Sequence, residues 1–271
     1  MTLARVAGHD VFHQSFGTGD RRALMIHAAL AHSGAWRGLA AQLPLNAVAF
    51  DLPGHGQSDD WDGQGDFLTC VTRIAEEFRD CHGGGATDVI GHSFGGIVAL
   101  RLAVERPDLV RSLTLIEPVF FAAARATAAP EIAEHDIANA PFAKAMEQGD
   151  YPGAAKIFLA MWQPGARWAA LPEPLRTAQA ARMPLITAGA PGFDADNAGL
   201  LDAGRLEGVT VPVLLLRGEE TPAIIAAIHR ALMERLPDAR DVVVNGAGHM
   251  LAITHPDQVA REMVPHLARA A

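Results

Sequence analysis

Two cysteines in 271 residues are too few for a disulfide scaffold or a zinc-finger set. Cys70 and Cys81 fall in or near one expected helix. Eleven residues of helix span about 16 Å, too far for a bridge that needs roughly 6 Å between Cα atoms. They read as free thiols of a reducing compartment, and a cytoplasmic location is the expectation. Twelve histidines are present but scattered, with no His-x-Glu-x-x-His spacing, so no metal site is implied. No apolar run reaches the roughly 18 residues of a membrane span. Residues 1–10 hold no apolar core of a secretory signal. Positive charge is also scarce: 31 acidic residues face 22 Lys and Arg, a formal net charge of −9. A surface of that sign repels phosphate backbones and makes nucleic acid a poor partner.

What is present is a chain able to bury a core. Hydrophobic residues make up 49% and charged residues 20%. At about 150 residues per domain, the length fits one large domain or two small ones. No internal repeat is visible. The first half alternates strand-like and helix-like segments. Strands are expected at Asp10–Phe16, Ala23–His27, Ala47–Phe50, Asp88–Ile90 and Ser112–Ile116. Phe67, Val71, Ile74, Ala75 and Phe78 recur at steps of three and four, the mark of a helix with one buried face, and Asp66 is its candidate N-cap. Gly95–Arg106 is apolar almost all round, as a helix packed deep against a sheet should be, and Pro107 stops it.

From Pro118 to about Gly208 the strand signals vanish. Helical stretches such as Ala154–Met161 are expected to be short and cut by Pro130, Pro141, Pro152, Pro164, Pro172, Pro174 and Pro184. Alternation then returns, with strands at Val213–Leu216 and Asp241–Val244 and helices at Ala223–Leu236 and Pro256–Ala268. Pro265 should end or kink the last of these. Such alternation implies a parallel sheet covered by helices on both faces. The expected architecture is α/β, a mostly parallel doubly wound sheet with an inserted helical cap. Its core would be residues 1–117 and 209–271, and its insertion residues 118–208.

The strongest chemical signal is Gly91-His92-Ser93-Phe94-Gly95-Gly96, which joins the strand ending at Ile90 to the buried helix. The spacing Gly-x-Ser-x-Gly suits a serine on a sharp strand-to-helix turn. Small residues two before and two after it let strand and helix crowd together while the hydroxyl stays exposed. The Phe94 backbone N–H, at the start of the helix, is then placed to hold a developing oxyanion.

Two further segments come in order. The strand at Ala23–Ile26 leads into His27-Ala28-Ala29. The strand at Ala47–Phe50 leads into Asp51-Leu52-Pro53-Gly54-His55-Gly56-Gln57-Ser58. Near the end stands Gly246-Ala247-Gly248-His249-Met250. With these the chain resembles the α/β-hydrolase fold superfamily, in its serine-hydrolase branch with a helical cap, over nearly its whole length. The resemblance implies Ser93 as nucleophile, His249 as general base and the Ala29 N–H as second oxyanion donor. It implies no metal and no organic cofactor. Ala28 stands where the family usually has Gly, which is tolerable unless that residue needs a positive φ. Asp51–Ser58 should be structural, with Gln57-Ser58 near the pocket rim. His27, His55, His92 and His255 read as structural, and His32 lies where the family lines its pocket.

The acid departs from the common pattern. The position after the penultimate strand that usually holds Asp holds Thr221, which reads as an N-cap followed by Pro222. Three alternatives remain: Glu117 at the end of the Ser112–Ile116 strand, which is the assignment adopted; Glu219 or Glu220; or no working acid. Phe120, Phe121, Phe142, Phe158, Met161, Trp162 and Trp168 supply an apolar roof over the site or the insertion's own small core. The expected activity is hydrolysis of an ester-like bond of a small, largely apolar molecule through an acyl-enzyme. A serine nucleophile excludes the family's aspartate-based epoxide and haloalkane routes. Carbon–carbon hydrolysis, lyase chemistry, or a binding or sensor protein without turnover remain as alternatives.

Overall fold

The computed structural model describes residues 2–81 and 85–270; the side chains of residues 79–81 are outside that description. Eight strands form one sheet: β1 (Thr2–Val6), β2 (His9–Phe16), β3 (Arg21–Ile26), β4 (Leu45–Phe50), β5 (Thr87–His92), β6 (Val110–Ile116), β7 (Val213–Gly218) and β8 (Ala239–Val244). Their spatial order is β1-β2-β4-β3-β5-β6-β7-β8. From β4 onward every pairing is parallel, while β1 and β2 add an antiparallel edge. The β1–β2 hairpin turns on Ala7 and Gly8, with φ of 47° and 87°. Two successive positive φ values give a turn whose twist matches the flanking strands. Strand β1 is short and mostly exposed, so it carries little of the alternation that marks its neighbours.

The helices are α1 (Arg37–Ala40), α2 (Phe67–Cys81), α3 (Phe94–Glu105), α4 (Phe121–Ala126), α5 (Glu131–Glu147), α6 (Tyr151–Trp162), α7 (Glu173–Ala181), α8 (Met183–Ala188), α9 (Ala190–Phe193), α10 (Ala223–Met233), α11 (Leu251–Thr254) and α12 (Pro256–Arg269). In α2 the five residues picked out by spacing are all buried, and the Asp66 carboxylate accepts the Thr69 N–H at 2.7 Å. Cys70 on this helix is a free thiol; the Cys81 side chain lies outside the described residues. Helix α3 is buried over most of its circumference. The core forms two clusters, one on each face of the sheet. One joins α2, α3 and α10; the other joins α1, α11 and α12.

Helices α4 to α9 lie between β6 and β7, with a small apolar centre of their own around Phe142, Ala154, Ala155 and Met183. Most prolines there sit at helix starts, but Pro141 does not cut its helix: α5 runs through it. Proline removes the bond to the carbonyl four residues back, that of Ile137. Ile137 is on the open side of the helix, 76% exposed, where water can serve that carbonyl. Helix α12 likewise continues past Pro265 to Arg269. Among the described residues no helix is long and apolar enough to cross a membrane.

The strand order reverses about β3 and β5. Ligands of open α/β sheets bind beyond the carboxyl ends of the strands at such a switch point. Ala29, Ser93, Glu117, Thr221 and His249 all follow strand ends on that side, after β3, β5, β6, β7 and β8.

Candidate active site

Ser93 occupies a one-residue turn between β5 and α3, at φ 55° and ψ −114°. A non-glycine residue held there stores about 1–3 kcal/mol of strain. The strain is stabilised by close packing around it. A Cβ on Gly91 would run into the Gly95 carbonyl and the Ala99 methyl, and one on Gly95 into the Ile26 carbonyl. The Ser93 N–H is tied to the Ile116 carbonyl at 2.8 Å. Glu117 (φ 51°) and Leu30 (φ 64°) are also left-handed, so three of the six described non-glycine residues with positive φ flank this site. Ala28 is not one of them, so no glycine is required there.

His249 reaches back across the sheet ends. Its Nε2 lies 3.0 Å from Ser93 Oγ and its Nδ1 lies 2.8 Å from Glu117 Oε2. A carboxylate on Nδ1 fixes the tautomer: Nδ1–H donates to Glu117, and Nε2 is left as a hydrogen-bond acceptor facing Ser93 Oγ. Glu117 is fully buried. Its Oε1 accepts the Gly218 N–H at 2.6 Å and its Oε2 also accepts the Thr221 hydroxyl. Burial would raise its pKa, but hydrogen bonds from His249, Thr221 and Gly218 outweigh that and hold the carboxyl below the usual glutamate range.

Thr221 therefore does not cap α10, whose N-cap residue is Pro222 without a side-chain bond. Its hydroxyl is already committed to Glu117. Glu219 and Glu220 are exposed, and Glu219 accepts the Gly246 N–H at 2.9 Å rather than approaching His249. His92 is buried, and its Nε2–H donates to the His249 carbonyl at 2.8 Å. Burial and the neighbouring His249 push its pKa down to about 4, so it is a neutral strut. The Trp162 ring lies 4.5 Å from the His249 ring, covering it from the insertion side.

A cavity of about 340 Å³ opens above Ser93. Ala29 and Phe94 line it, and their backbone N–H groups make no hydrogen bond within the described structure. Of the expected roof, Phe121, Phe142, Phe158 and Trp162 face the cavity, while Phe120 is fully buried in the core. Met161 and Trp168 do not line it. His32 lines a separate open depression, where its Nδ1 accepts the Gly34 N–H. Gln57 lies on that depression too, and Ser58 bonds to the backbone of Phe12 and Asp51, so neither is on the rim.

The residue from that turn that does reach the cavity is His55, which sequence reading left as structural. Its Nε2 accepts the Leu30 N–H at 3.1 Å and its Nδ1–H donates to the Pro53 carbonyl at 3.0 Å. It thus anchors the residue after Ala29. Burial pushes its pKa down to about 4, which keeps Nε2 free to accept. His27 makes the reciprocal link, accepting the Leu52 N–H at 3.0 Å. Sequence reading also missed His135 and Asn139, one helical turn apart on the cavity wall. Their spacing of four was the available signal.

A sequence model of the Alpha/beta hydrolase family matches residues 23–262. Lipase LipV of Mycobacterium tuberculosis is 40% identical over 111 residues, which is 40% of this chain and 42% of that protein. A pimeloyl-[acyl-carrier protein] methyl ester esterase of Chromobacterium violaceum is 28% identical over 271 residues, 95% of this chain and 98% of that one. The match to the lipase thus spans less than half of that relative, whereas the match to the esterase is end to end. Among solved structures, a haloalkane dehalogenase loop variant from Bradyrhizobium elkanii superposes with a TM-score of 0.74 at 21% identity. The superposition covers 99% of this chain and 96% of that one, a likeness of fold alone.

Proposed function

Because this chain belongs to the alpha/beta hydrolase family, we propose that it is a serine esterase acting on small, largely apolar esters through Ser93, His249 and Glu117. The observation that carries the proposal is the unbroken hydrogen-bond path from Ser93 Oγ through His249 to a buried carboxylate, at the floor of an apolar cavity. The esterase and lipase names of its relatives support the same class.

In the proposed cycle, Ser93 Oγ bonds to the ester carbonyl carbon as its proton passes to His249 Nε2. The Ala29 and Phe94 N–H groups receive the carbonyl oxygen as it becomes an oxyanion. Glu117, held ionised, stabilises the imidazolium. Collapse breaks the bond to the alcohol oxygen, which takes the proton from Nε2. Water then repeats the sequence on the acyl-enzyme, releasing the acid and restoring Ser93. Residues 1–117 and 209–271 serve as the catalytic core and 118–208 as a cap, with Trp162 shielding the His249 ring from water.

The test is labelling with a fluorophosphonate together with turnover of p-nitrophenyl butyrate. A single adduct mapped to Ser93 by mass spectrometry, and turnover abolished by Ser93→Ala, are the expected results. Ligand-induced thermal stabilisation with neither labelling nor turnover would replace the enzyme with a sensor.

A further inference from the structure

We propose that His135 and Asn139 form a polar subsite that recognises an uncharged hydrogen-bonding oxygen carried on the substrate chain, away from the scissile carbonyl. The inference rests on reading the cavity as the ester pocket and names the substrate class that pocket prefers.

Helix α5 turns a mixed face to the cavity, with Phe142 and Met146 beside His135 and Asn139. Ile137 stands 76% exposed, while His135 and Asn139 face the cavity half-buried. A helix on an apolar site ordinarily keeps such polar residues on its outer face. The pair sits among aromatic walls: the His135 ring stacks on Phe121 at 4.4 Å and lies 6.3 Å from Trp162. Neither side chain makes a hydrogen bond to another described residue. Half-buried polar groups on an apolar wall keep only part of their hydration, so a ligand atom that pairs with them gains selectively. A few convergent polar groups in an apolar cavity are what orient small ligands.

The position follows from the rings. The same Trp162 that lies 6.3 Å from His135 lies 4.5 Å from His249. One indole thus neighbours both the His135 ring and the reacting end. The recognised oxygen belongs a short chain away from the ester, as in a keto or hydroxy ester or a ring ether.

Charge excludes an anionic group. Arg125 is the cation on this wall, and its guanidinium is already committed. Nε donates to Asp194 at 2.8 Å, and the two terminal nitrogens donate to Asp136 at 2.9 and 2.7 Å. Two carboxylates on one guanidinium leave an excess of negative charge, and Glu147 on the same wall adds to it. A substrate carboxylate there would be repelled, while a neutral oxygen can accept from Asn139 or the His135 ring.

The experiment uses the full-length Ser93→Ala protein, which retains the pocket without turnover, and isothermal titration with three matched esters. Methyl 5-oxohexanoate should bind about tenfold more tightly than methyl hexanoate, the scale of one net hydrogen bond. Monomethyl glutarate, which puts a carboxylate where the ketone was, should bind most weakly. Adding His135→Phe and Asn139→Leu should bring the oxo-to-plain ratio to about one; Asn139→Ala alone should lower it and serves if the larger change fails to fold. Equal affinity for the oxo and plain esters, a ratio that survives the substitutions, or tightest binding of the glutarate would overturn the proposal. Turnover of methyl hexanoate by the unmodified protein is read separately. Its absence alongside a retained oxo preference would remove the esterase reading and leave the subsite. Turnover without the preference would do the opposite.

Discussion

Replacing Glu117 by Gln should lower kcat about 10⁴-fold while leaving the fold in place, and the hydrogen bonds explain why. Oε1 of Glu117 faces the Gly218 N–H, a backbone donor that cannot turn away, so the Gln carbonyl must occupy that place. The amide nitrogen then takes the position of Oε2, between the Thr221 hydroxyl and His249 Nδ1. Thr221 can rotate to accept. Nδ1 can satisfy the amide only by giving up its own proton, which moves to Nε2 and points at Ser93 Oγ. The base is then in the wrong tautomer and cannot take the serine proton. The reverse amide orientation would set two N–H donors, those of Gln and Gly218, against each other in a fully buried place, at about 1–3 kcal/mol. In a serine triad where the acid became an amide, the tautomer error cost about 10⁴ in rate. At about 1.4 kcal/mol per tenfold this is close to 5.5 kcal/mol of transition-state stabilisation. The assay is steady-state hydrolysis of p-nitrophenyl butyrate, with active sites counted by fluorophosphonate and folding checked by circular dichroism. A well-folded Glu117→Gln protein within tenfold of the parent rate would refute the assignment. Collapse on Glu219→Gln or Glu220→Gln instead would move the acid to that loop.

Ser93→Ala and His249→Ala should each remove most of kcat, and the double variant should be little slower than either, because the proposed nucleophile and base would act as one unit; additive losses would separate them. His55→Phe deprives the Leu30 N–H of its acceptor and loosens the Ala29 loop, so kcat should fall about tenfold. His55→Gln, which can restore an acceptor, should recover part of it, and a change confined to KM would count against an oxyanion-loop role. Stability should also fall on acidification. His55 and His92 are neutral in the fold, with pKa values pushed down to about 4 from the ordinary 6.5, and burial holds His27 well below its ordinary value too. Between those values the unfolded chain binds more protons, so the stabilisation is complete above about pH 6.5 and is lost as pH falls towards 4. His55 and His92 would each contribute on the order of 3 kcal/mol to that loss. Urea denaturation midpoints at pH 7, 6, 5 and 4 measure it, and a flat series would contradict the buried, neutral imidazoles.

Much of this protein is legible one segment at a time, because the signals concerned are local. The spacing of Phe67 through Phe78 marked α2, the apolar run after Ser93 marked α3, and Gly91 and Gly95 marked the turn on which Ser93 sits. The alternation of strands and helices implied the sheet. Local signals fail where a neighbour in space overrides them. Thr221 followed by Pro222 looks like a helix cap in isolation, but its hydroxyl goes to Glu117, 104 residues earlier, once parallel pairing sets Ile116 beside Leu216. Pro141 looks like a break, yet α5 passes through it, and Ile137, whose carbonyl it leaves unpaired, is exposed.

The carboxylate that meets His249 was open among Glu117, Glu219 and Glu220 in the sequence, since all three sit just after strands of the same sheet. Pairing across the sheet brings Glu117 to 2.8 Å of a ring 132 residues away, while Glu219 and Glu220, just past the end of β7, are exposed. His55 was illegible, since a histidine in a turn has no local mark of what it faces, and the four-residue spacing of His135 and Asn139 marks a shared helix face without saying what that face meets. The sequence by itself determined the order of elements and the serine turn, because those rest on contacts between residues close in the chain. Only the tertiary structure decided which acid, which histidines and which polar pair surround the cavity, because those choices are made by strand register and by the packing of residues 118–208 over the sheet.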